Sequence, residues 1–75
     1  MYVSCLFYKD EIKGYAGRAY TYETDLPLTP GQKVMLPTKD GDKRGIVVMT
    51  HIPQPSFECK RIVSTDTANG GEDDG

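Results

Sequence analysis

Few residues in this chain have both the type and the spacing to do chemistry. His51 has no serine, cysteine or acid near it at a catalytic spacing, and it stands beside Pro53 at a strand end. Asp40 and Asp42 flank Gly41, where turn formation accounts for them better than acid–base catalysis or metal binding does. Cys5 and Cys59 form no CxxC pair, and one histidine with two separated cysteines does not make a zinc site. The run "KDGDKRG" lacks the glycine spacing of a phosphate loop, and no helix follows it. The expectation is a protein that is not an enzyme and holds no metal or cofactor.

Aromatic residues offer more. The chain has five tyrosines and two phenylalanines, and Tyr20 and Tyr22 share one face of a β-prone run. Aromatics on a β-surface beside cations are how small barrels stack unpaired bases and hold phosphates. The nearby cations are Arg18, Lys43, Arg44, Lys60 and Arg61. A small barrel also needs large side chains inside it, and a tyrosine pair fills that role equally well. Both readings stay open on spacing alone.

The elements that would position these residues are all strands. Residues 2–8, "YVSCLFY", are β-branched and aromatic. A polar run with Gly14 and Gly17 reads as a loop before a second strand at 18–24. Pro27, Pro30 and Gly31 mark a turn, and "KVMLP" is the third strand, ending at Pro37. Asp40-Gly41 closes a hairpin into "RGIVVMTHI", and residues 57–65 make strand five. Val34, Leu36, Ile46 and Val48 are the expected inward set. Five short strands without a periodic helix indicate an all-β domain, a small five-stranded antiparallel barrel or curled sheet.

Seventy-five residues allow one domain, assigned to residues 1–65. Residues 66–75, "DTANGGEDDG", are expected to form a disordered acidic tail. Charge divides the same way: nine cations against seven acids give +2 before Asp66, and four acids give −4 after Thr65. No apolar run approaches a bilayer span and no signal sequence follows Met1, so a cytoplasmic location away from membranes is expected.

The run "RAYTYETDLPLTPGQKVMLP", then "KRGIVV" and "CKRIVSTD", resembles the N-terminal DNA-binding domain of the bacterial primosomal replication-restart helicase. It is also similar to short uncharacterised proteins of phages and mobile elements. The matching residues include Tyr20, Tyr22, Gly31, Val34, Leu36, Pro37, Arg44 to Val48, Lys60 and Ile62, within about residues 18–66. The resemblance implies binding of single-stranded DNA or a DNA 3′ end by Arg18, Tyr20, Thr21, Tyr22, Lys43, Arg44 and Lys60. Where that family carries an acid between its aromatics, this chain has Thr21, whose hydroxyl can still hydrogen-bond a base or sugar. The alternative is a phage or mobile-element module whose barrel edge or aromatic face binds another protein.

Overall fold

A computed structural model describes residues 1–66. Its strands are β1 Tyr2–Lys9, β2 Gly14–Glu23, β3 Lys33–Thr38, β4 Gly41–Ile52 and β5 Ser64–Thr65. They form one antiparallel sheet in the order β2-β1-β4-β3-β5, the all-β curled sheet expected from the alternation of β-prone runs with turns. No helix among the described residues is long and apolar enough to cross a membrane.

The β3–β4 hairpin sets the faces. Thr38 pairs with Gly41 across Lys39 and Asp40, and Gly41 adopts φ +109°, a backbone conformation that glycine enters without steric cost. The Thr38 hydroxyl donates to the Gly41 carbonyl and accepts from the Asp40 N–H, which ties the turn. This register puts Gly45 opposite Val34. Residues 43, 45 and 47 therefore share the inner face with Val34 and Leu36.

Here the expected inward set needs correction. Val34 and Leu36 are fully buried, but Val47 is buried in place of Val48, which is 38% exposed. Ile46 is only partly covered. "GIVVM" is apolar on both faces, so composition could not choose between them; the hairpin register does. A β-carbon at Gly45 would lie 2.9 Å from the Leu6 carbonyl and run into the Leu36 side chain. Glycine lets the curled sheet close over Leu36 at that point.

Two further strand boundaries differ from expectation. β2 begins at Gly14, inside the expected loop, because residues 14–16 pair with residues 7–9 of β1. Between the pairs Cys5–Tyr20 and Phe7–Ala16, β2 spends extra residues in a bulge, with Gly17 at φ +95°. Such a bulge sharpens local twist and bends the strand. β4 carries register shifts of its own near Val48 and between Met49 and Ile52, where His51 adopts φ +55°.

The expected fifth strand, residues 57–65, pairs as a ladder only at Ser64–Thr65. Its backbone bonds divide between the two edges of the sheet. The Glu23 N–H donates to the Lys60 carbonyl at 2.9 Å, and the Ile62 N–H donates to the Glu23 carbonyl at 3.0 Å. The Val63 N–H then donates to the Met35 carbonyl at 3.1 Å, and the Asp66 N–H to the Lys33 carbonyl at 2.8 Å. Residues 60–66 thus bridge β2 to β3 and bury Ile62. Arg61 fixes the crossing from outside, with its guanidinium 3.2 Å from Glu23 and 2.6 Å from Asp25.

The enclosed core is Val3, Cys5, Tyr22, Leu28, Val34, Leu36, Val47 and Ile62. Asp66 belongs with the folded part by its backbone bond, and the rest of the expected tail lies outside the described residues.

Val47→Ala is expected to cost on the order of 1–4 kcal/mol and Val48→Ala less than about 0.5 kcal/mol in denaturant unfolding. Equal losses at the two sites would contradict the assigned faces. Gly45→Ala is expected to destabilise in the same measurement, since the Leu6 carbonyl and the Leu36 side chain block the added carbon.

Candidate nucleic-acid interface

β2 leaves the 60–66 crossing at Glu23 and diverges from the end of β3. Between them opens a hollow of about 370 Å³. Phe7, Tyr20 and Tyr22 line it from β1 and β2, Pro37 and Thr38 from β3, and Lys39 from the hairpin tip. Glu58, Cys59 and Lys60 form the remaining wall.

Alternation puts both tyrosines on the inner face, but sheet curvature separates their fates. Tyr22 lies opposite Val3 and is 6% exposed. Burial pushes its phenol pKa above the usual range, with smaller contributions from Cys5 and Tyr20. Tyr20 lies opposite Cys5, one step nearer the rim, and is 47% exposed. Its ring packs edge-on to Phe7 at a centroid distance of 5.8 Å. One tyrosine is core, and the other presents a supported, open ring. Lys39 and Lys60 stand exposed at the same hollow, against one acid, Glu58.

Of the residues singled out in the sequence, Tyr20, Thr21, Tyr22 and Lys60 meet here. Lys43 and Arg44 do not. They border a second hollow with Tyr8, Met35, Asp10 and Asp42. The Arg44 guanidinium lies 5.1 Å from the centre of the Tyr8 ring and 3.7 Å from the Asp66 carboxylate. Tyr8 in turn packs edge-on to Tyr15. Burial raises the Tyr15 pKa, and the positive charge of Arg44 opposes that rise. Arg44 is therefore already paired with a carboxylate, and Lys43 shares its hollow with Asp10 and Asp42. Arg18 is exposed within the β2 bulge and lines neither hollow. Arg61, weighed as a cation for phosphate, is held by Glu23 and Asp25.

Sequence reasoning missed Phe7, Pro37 and Lys39 as parts of the site. Phe7 carries a readable signal, since it continues the face of Val3 and Cys5. Lys39 does not, because it joins the site only through the hairpin register. His51 is exposed with Thr50 as its near neighbour, and no cluster of three metal-binding side chains occurs among the described residues.

The fold and hollow define a small all-β domain in which an open tyrosine ring shares a hollow with two lysines. No family model matches the chain, and neither a curated protein nor a solved structure matches it.

Cys5, the buried cross-strand neighbour of Tyr20, gives a pH prediction. Burial raises Cys5 from the usual 9.0 to about 11. The folded state then holds the proton where the unfolded chain releases it. Stability is full below about pH 9 and falls as pH rises from about 9 towards 11, by on the order of 2 kcal/mol. Unfolding midpoints measured along this range should decline, and Cys5→Ala should make the decline shallower. An unchanged slope in that variant would show that folding does not raise the Cys5 pKa.

Proposed function

We propose that this protein is a non-catalytic nucleic-acid-binding module of the cytoplasm, taking single-stranded DNA or a DNA 3′ end at the hollow beside β2. The observation that carries this reading is Tyr20. It is a half-exposed ring, braced edge-on by Phe7, with Lys39 and Lys60 at the same hollow. A π-face accepts any unpaired base, and flanking ammonium groups suit the adjoining phosphates. Thr21 supplies polar groups at the same place.

The charge balance bounds the affinity. The described residues carry nine cations and eight acids, a net +1. Long-range attraction to a polyanion is therefore small, and binding must draw on stacking and a few local contacts. A weak, salt-sensitive complex with unpaired bases follows.

Fluorescence titration of the full chain with oligo(dT), a 3′-tailed duplex and a blunt duplex at low salt tests this directly. Tyr20→Ala is expected to lose about 1–3 kcal/mol of binding to the unpaired strands. Lys39→Gln with Lys60→Gln should reduce the log–log salt slope by roughly one. Lys43→Gln with Arg44→Gln should change it less, because Arg44 is already paired with Asp66 and Lys43 borders a separate hollow that also holds Asp10 and Asp42. Thermal unfolding of each variant separates lost contacts from lost fold. A folded wild-type chain that binds none of the three DNAs at low salt would remove this reading and leave a protein partner as the alternative.

A further inference from the structure

Polar backbone groups at a sheet edge need partners, and the two edges of this sheet treat that need differently. On β3, the Val63–Met35 and Asp66–Lys33 bonds show that residues 33 and 35 face the outer edge. By alternation the next residue facing it is Pro37, which has no N–H to give. Beyond Met35 this edge cannot support another strand.

β2 has no such guard. Glu23 uses both of its backbone groups outward, in a parallel bridge to residues 60–62. Two residues upstream, Thr21 must present its own N–H and C=O to the same side. Continuing that parallel ladder would place the Glu58 carbonyl and Lys60 N–H on Thr21. Instead Glu23–Arg61 is the one bridge outside the named strands among the described residues, and the chain at 58–60 swings away to form the far wall of the hollow. A donor and an acceptor are thus left at the margin of a cleft floored by Phe7, Tyr20, Tyr22 and Pro37.

We propose that the β2 edge at Thr21 is a strand-addition site for an extended acidic peptide. Main-chain pairing with Thr21 continues the ladder that residues 60–62 begin. An apolar side chain of the peptide enters the hollow, and its carboxylates face Lys39 and Lys60. Strand addition obtains affinity from such main-chain bonds and specificity from pockets for alternate side chains. The charge pattern selects an acidic partner, since the exposed ends of the cleft carry two lysines and one glutamate. This site stands independently of nucleic-acid binding, although both ligands would cover Tyr20 and so exclude each other.

The test uses capped peptides of about seven residues that alternate glutamate with valine, against a lysine–valine counterpart. A third peptide has its alternate main-chain nitrogens methylated. Two-dimensional NMR of the full chain is expected to show saturable shifts and slowed exchange at the Thr21 amide with the glutamate peptide. The methylated and lysine peptides should bind about tenfold more weakly or not at all. Thr21→Pro removes the outward N–H at an edge position where proline is tolerated, and should weaken the glutamate peptide about tenfold, while Thr21→Ala, which removes the hydroxyl and keeps the N–H, leaves it within about twofold. Equal binding of the methylated peptide, or absence of Thr21 protection at saturating glutamate peptide, would overturn the proposal. Neither result depends on whether DNA binds, because the DNA titration reads Tyr20 and the lysines and the peptide test reads main-chain pairing. If Thr21→Pro fails to fold, the methylated peptide decides alone.

Discussion

The domain depends on one short extended run, residues 60–66, that hydrogen-bonds both edges of its sheet. Lys60 and Ile62 meet Glu23, and Val63 and Asp66 meet Met35 and Lys33. Without that crossing, β2 and β3 would be two open edges on opposite sides of a bent sheet, and Leu36, Val34 and Ile62 would lose their cover. The run is apolar at one buried position, Ile62, so burial by itself holds it modestly. Backbone pairing and the Arg61 clamp to Glu23 and Asp25 supply the rest. Exposed ion pairs contribute little on average, which leaves the four backbone bonds as the principal fastening.

The same fastening creates the hollow. Because the run leaves β2 after Glu23, the upstream part of that strand keeps an open margin, and Tyr20 remains at the rim while Tyr22 is covered. Structural and exposed tyrosines differ here by two positions on one face. The difference comes from where the closing segment departs, not from residue type. Deeper closure would protect the core better and remove the hollow at Tyr20.

Much of the fold was legible in the sequence. Asp40-Gly41 announced the hairpin, and Val34 and Leu36 announced the buried face of β3. The faces of β4 were not legible, since "GIVVM" offers apolar groups to both sides and only the turn register chooses between them. Residues 57–65 looked like one strand by propensity. Propensity says nothing about partners, and this segment spends its hydrogen bonds on two different strands. At the candidate site, the parity of Tyr20 and Tyr22 was readable, but the curvature that separates them was not. Arg44 read as a free hairpin cation because Asp66, over twenty residues on, becomes its neighbour only in the folded chain.

The crossing also shapes how the chain must assemble. Glu23 and Lys60 are nearly forty residues apart, and Met35 and Val63 nearly thirty, so the closing bonds have to wait for large loops to collapse. The entropy of closing such loops grows only slowly with their length, which makes the finished fold affordable. Its rate is another matter, because chains whose stabilising contacts are remote in sequence cross a higher barrier than locally connected ones of equal stability. The hairpin of β3 and β4 can form early from neighbouring residues, while residues 60–66 seal the domain later. A nascent chain would hold an incomplete sheet, with both edges bare, until residues 60–66 had emerged.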